Sequence, residues 1–148
     1  MRCRSRKNSH KERDESLREW YRRTNQRCEL RSLLLQKFGV VADTGKIDVH
    51  HIFGGRKGRW DLMTNLICLS REAHDWCHRN VVDGRVLCMW VKMSKGEFDA
   101  TEFQQVSGMQ AAGWLLWKRD AVSVKAGTVF QCVFDVAKEL ARKIEERN

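Results

Sequence analysis

The chain has 148 residues, 42% of them hydrophobic and six of them tryptophan, enough to bury one core and too few for two ordinary domains. Its 28 Lys and Arg against 19 Asp and Glu give a formal charge of +9, which suits a polyanionic partner such as nucleic acid, although an anionic membrane surface attracts the same charge. No apolar run approaches the roughly 18 residues of a membrane span and the N-terminus lacks the apolar stretch of a secretory signal, so the expectation is a cytoplasmic protein with no membrane partner.

Residues 1–14 are dominated by Lys and Arg and are expected to form a mobile basic arm, leaving 15–148 as a single domain. Leu17, Trp20 and Tyr21 fall at helical spacing, and Leu30, Leu33, Leu34 and Phe38 continue the pattern to Gly39, a helix-ending residue. This predicts one helix, or two with a break near Thr24-Asn25-Gln26. Asp43 to Lys46 is turn chemistry. Ile47 to Ile52 alternates as a strand, Phe53 to Met63 is a loop, and Asn65 to Leu69 is a second short strand. Ser70 then caps a helix that carries Glu72 in its first turn and His78-Arg79 in its last.

Asp83-Gly84 reads as a turn, and Arg85 to Lys92 as a further strand that extends or covers the small sheet. Residues 99–148 are expected to be a helical extension. Asp99 with Glu102 fits a capping box, Met109 to Lys118 supports a helix, and the last helix carries a stripe of Val129, Val133, Val136, Leu140 and Ile144. The six cysteines (Cys3, Cys28, Cys68, Cys77, Cys88, Cys132) are scattered with no CxxC pair, which suggests free thiols rather than a zinc knuckle or a disulfide framework. The fold class is α+β, a small antiparallel sheet flanked by N-terminal and C-terminal helices.

Four of the five histidines, His50, His51, His74 and His78, lie between positions 50 and 78. His74 and His78 are one helical turn apart and project from one face, a common arrangement for two ligands of one metal and also an ordinary one for surface histidines. Adjacent His50 and His51 point to opposite sides of a strand, so one can ligate while the other does acid–base work. Asn65, at the start of the next strand, can supply the hydrogen bond that orients such a base.

Asp48-Val49-His50-His51-Ile52, then Asn65-Leu66-Ile67-Cys68-Leu69, then His74 and His78 together resemble the HNH motif of the ββα-metal nucleases over residues 47–80. The three-histidine set is most similar to the nuclease colicins. The resemblance implies that His50, His74 and His78 hold one divalent metal ion (zinc, nickel, cobalt, manganese or magnesium), that His51 is the general base, and that Asn65 orients it. It implies hydrolysis of phosphodiester bonds, of DNA first, to a 5′ phosphate and a 3′ hydroxyl, in a setting such as a phage, a mobile element or host defence.

The chain departs from common family patterns in two ways: paired cysteines for a second, structural zinc are absent, and Phe53-Gly54-Gly55 stands where a proline usually follows the histidine strand. Asp48 shares a strand face with His50, as a second acceptor for a ligand histidine, an extra ligand or a solvated strand-end acid. Arg56, Lys57 and Arg59 are placed to grip phosphates. Trp60 and Trp76 can pack or stack on bases, and Cys77 reads as packing.

Two competing readings follow from the same residues. One keeps the fold without the enzyme, as a metal-stabilised module that binds nucleic acid. The other makes Asp99 to Lys118 a helix-turn-helix reader rather than packing around the nuclease unit.

Overall fold

The computed structural model describes residues 13–54 and 60–147. Within them the protein is α+β: seven α-helices and one two-stranded antiparallel sheet. Helix α1 (Glu15–Thr24) is capped by Asp14, whose side chain accepts the Leu17 N–H, and it ends at Asn25. The expected break at residues 24–26 therefore separates it from α2 (Arg31–Phe38). Gly39 ends α2 with φ of 66°, a left-handed conformation that costs glycine nothing, and its N–H reaches back to the carbonyls of Leu34 and Leu35. The basic arm expected over 1–14 falls outside the described residues as far as position 12, whereas Asp14 belongs to the folded body.

Strand β1 (Ile47–His51) pairs with β2 (Leu66–Ser70) in the register His50 to Ile67 and His51 to Leu66. Paired residues share a face. Ile47, Val49, Leu66 and Cys68 pack with Tyr21 and Leu17 of α1, while Ile67 and Leu69 join the main core on the opposite side. The free edge of β2 is closed without a third strand. Glu29 donates its N–H to the Cys68 carbonyl at 2.9 Å and accepts the Cys68 N–H on its carboxylate at 2.7 Å. One residue thus satisfies both groups that Cys68 would otherwise offer to another chain.

Helix α3 (Arg71–Arg79) begins directly at the end of β2, because Ser70 leaves the strand and caps the helix through its Oγ, which accepts the Ala73 N–H. The next element corrects the expectation. Arg85 to Lys92 is not a strand but the centre of α4 (Val81–Ser94), and Asp83-Gly84 is helical rather than a turn. A continuous apolar run carries no period that separates a buried strand from a buried helix. Gly84 serves a different purpose from the one inferred: a Cβ there would lie 3.1 Å from Cys77 Sγ and 3.2 Å from Cys77 Cα, so its missing side chain lets α4 cross close to α3.

Helices α5 (Ala100–Ser107), α6 (Ala111–Lys118) and α7 (Gly127–Arg147) complete the core. Asp99 accepts the Glu102 N–H, but Glu102 turns away to Thr64 N–H, so only half of the expected capping box forms. Phe103 and Trp114 set their ring edges against Phe53, at centroid distances of 5.2 and 5.5 Å, which makes α5 and α6 packing elements beside the histidine strand. In α7, Val129 and Val133 are buried as expected. The stripe then continues on Ala137, while Val136 is 37% exposed. Trp76 packs on Phe38. None of the five described cysteines is in a disulfide. Among the described residues no helix is long and apolar enough to cross a membrane.

A buried polar network ties α1, β2 and α4 together. Lys92, its side chain wholly buried, donates to the Leu66 carbonyl at 2.7 Å, Glu97 Oε1 at 2.7 Å and Tyr21 Oη at 3.1 Å. Burial would raise the pKa of Glu97, but the hydrogen bond and charge of Lys92, with Lys95 adding to them, outweigh this and hold the carboxyl below its ordinary 4.5. Because the native carboxyl binds its proton less tightly than the unfolded one, the pair stabilises the fold above about pH 4.5. That contribution is lost as pH falls through the lower native value. Urea midpoints at about pH 7, 5 and 3.5 should therefore fall less steeply for Glu97→Gln than for the wild type; parallel curves would remove Glu97 from the acid response.

Candidate metal centre and adjoining cleft

The direct passage from β2 into α3 sets the geometry of the histidines. His74 and His78 project from one side of α3 toward β1, and His50 points back at them from the strand. Their ring centroids are 4.4 Å apart for His74 and His78, 5.0 Å for His50 and His74, and 5.9 Å for His50 and His78. One nitrogen from each ring lies within 4.8 Å of the others, so the three residues are close enough to hold a metal ion. The Nε2 atoms of His74 and His78 are 3.2 Å apart. Two nitrogens bound tetrahedrally at about 2.05 Å from one ion would stand about 3.3 Å apart.

The electrostatics also suit ligation, which requires neutral imidazoles. Burial, with the neighbouring His74 and His78 adding to it, pushes His50 down to about 3. Burial and His78 likewise lower His74. The far ring nitrogen of His74, Nδ1, is buried with no hydrogen-bond partner, and Asp75 Oδ1 stands 3.9 Å from it. Asp48 stays outside this cluster. Its side chain is exposed and faces Lys46 at 3.7 Å, as a solvated strand acid does, so the expectation of a ligand or supporting acceptor there is corrected.

His51 occupies the opposite face of β1, as strand alternation requires. Its Nε2 lies 2.7 Å from Asp61 Oδ1. The Asp61 side chain is wholly buried, and its other oxygen accepts the Asp14 N–H at 2.6 Å and Arg18 Nε at 3.1 Å. An ionised carboxylate only accepts, so Nε2 carries the proton and Nδ1 of the neutral ring keeps its lone pair. Burial lowers the His51 pKa despite the opposing bond to Asp61.

Asn65 is not the residue that orients His51. Fully buried, it accepts the Phe53 N–H on Oδ1 at 2.7 Å and donates Nδ2 to the carbonyls of Phe53 at 3.0 Å and Trp60 at 2.9 Å. It clamps the chain as it leaves β1 and fixes His51 through the backbone. The reason is local: Asn65 closes a 3-10 turn (Met63–Asn65) before β2 begins, which turns its side chain back toward Phe53. Asn65→Ala strands the buried N–H and carbonyl of Phe53 and should cost about 3 kcal/mol, or roughly 6–12 °C in Tm. A thermal melt within 2 °C of wild type, on the order of the noise of such comparisons, would contradict this.

A cavity of about 460 Å³ joins the two sets of histidines. Its lining includes His50, His51, His74, His78, Cys77 and Arg85. Arg85 comes from α4, which the expected strand would have placed elsewhere. Arg56, Lys57 and Arg59 lie outside the described residues.

No protein-family model, curated protein or solved structure matches the chain.

Sequence reasoning missed two residues of this centre, Asp61 and Arg85. Asp61 carried a usable signal, being the single acid between Asp48 and Glu72 in a stretch that otherwise holds four cations. Arg85 carried none, since its place depends on the helical state of its segment.

Proposed function

We propose that the chain is a metal-dependent endonuclease of the HNH, ββα-metal type that hydrolyses phosphodiester bonds of nucleic acid, DNA first. The observation that carries this reading is one juxtaposition: three imidazoles converging from β1 and α3, with a carboxylate-held imidazole on the very next residue of β1 and both bordering one cleft. A purely structural metal module needs the first set and has no use for the second. The formal charge of +9 suits the polyanionic substrate.

His51 is the general base. Its free Nδ1 takes a proton from water as the water oxygen bonds to phosphorus, and the bond to the 3′ oxygen breaks on the opposite side. Asp61 holds the ring in the required tautomer and offsets the charge of the imidazolium. Asn65 keeps the segment after His51 from drifting. His50, His74 and His78 would hold one divalent ion, which when bound supplies charge to offset that of the phosphate oxygens and the departing oxygen. Three neutral imidazoles favour zinc, nickel, cobalt or manganese over magnesium in affinity.

The test incubates the pure protein with supercoiled plasmid, linear duplex, branched DNA and RNA across these metals. Metal-dependent cleavage of at least one substrate is expected. No cleavage of any substrate with any metal overturns the reading.

A further inference from the structure

We infer that Arg85 is a phosphate-binding residue, a guanidinium held in advance at the wall of the histidine cleft to receive the non-bridging oxygens of a phosphodiester. The setting rests on the nuclease reading. Its Nε donates to the Ile52 carbonyl at 3.2 Å, and its guanidinium carbon sits 4.4 Å from the centre of the Phe53 ring. Both anchors belong to the segment that leaves β1, and Asn65 clamps that segment from the other side. The cation is therefore positioned by the same piece of backbone that positions His51.

What this guanidinium lacks is an anion. Among the described residues no carboxylate lies within ion-pair distance of it, and its two terminal amino groups have no hydrogen-bond partner. A half-buried guanidinium with one backbone bond and a ring contact has lost much of its water without regaining charge compensation. A structural arginine in such a place would be paired. This one shares its cavity with four histidines and with no acid. The two free amino groups form a fork that donates to two oxygens of one phosphate, a geometry that lysine cannot copy. The ligand class is thus an oxyanion with two accessible oxygens on one phosphorus, found in a diester link or in free phosphate.

Dimethyl phosphate stands in for the diester and inorganic phosphate for the free anion, each titrated into isotope-labelled, metal-loaded protein while the Nε–Hε resonance of Arg85 is followed by NMR. The resonance should move with dimethyl phosphate, and Arg85→Met should weaken its binding by about 10–100-fold, the loss expected for hydrogen bonds to a charged group. Arg85→Lys should recover little of it. Movement with inorganic phosphate alone would assign the site to free phosphate instead of the diester and overturn the substrate part of the inference.

A stationary resonance with both probes would overturn the inference even if Arg85→Met fails to fold. So would Arg85→Met cleaving DNA with wild-type kcat and KM, an outcome that leaves the nuclease reading intact. Conversely, Arg85-dependent binding of dimethyl phosphate by a protein that cleaves nothing would support the site and remove the nuclease reading.

Discussion

His51→Ala should lower the rate of phosphodiester cleavage by about 10²–10⁴-fold while leaving zinc affinity within a factor of about three of wild type. The size follows from the job. A general base contributes through the proton it removes in the transition state, so its loss appears in kcat and hardly in substrate binding. The selectivity follows from the geometry. His51 stands on the opposite face of β1 from His50, and the group it engages is Asp61 rather than the cluster on α3. Single-turnover cleavage together with zinc calorimetry on the same preparation reads both quantities. Equal loss of cleavage and of metal binding would show that His51 belongs to the metal site and not beside it.

The second large effect concerns the metal. His74 is the middle of the cluster, near both His78 and His50, and His74→Ala should lower zinc affinity by at least about 100-fold, the upper end of what the loss of a mere supporting residue costs. Zinc supplied at about 100 times its Kd should stabilise the wild type by about 2.7 kcal/mol, or roughly 5–11 °C in Tm, and the variant by almost nothing. Chelator should return the wild type to the variant's melting behaviour. An equal zinc response in the two proteins would place the ion somewhere other than among these three rings.

How far the chain could be read in advance divides along a physical line. Residues whose role depends on local spacing were legible: His74 and His78 on one helix turn, His50 and His51 on alternate strand faces, Ser70 as a cap. Each needs only the period of its own element. Asn65 is legible as a residue but not in its role, because a side chain just before a strand can turn either way and only its bonds to the Phe53 backbone and the Trp60 carbonyl decide which. Asp61 and Arg85 act through partners far along the chain, Asp14 and Arg18 in one case and Ile52 and Phe53 in the other, and no local period carries that information. Val136 shows the same limit within one helix: spacing puts it on the stripe, and the buried face of α7 runs through Ala137 instead.

Gly84 bears on the cleft in a way its lack of a side chain conceals. His74 and His78 ride on α3 and Arg85 on α4, and the two helices touch where Gly84 meets Cys77. The separation of these two histidines from the Arg85 cation is thus gauged by the close approach of Gly84 to Cys77, like the jaws of a caliper set against a stop. A single added methyl group at position 84 would stand 3.1–3.2 Å from Cys77 and press α4 away from α3, carrying Arg85 away from His74 and His78.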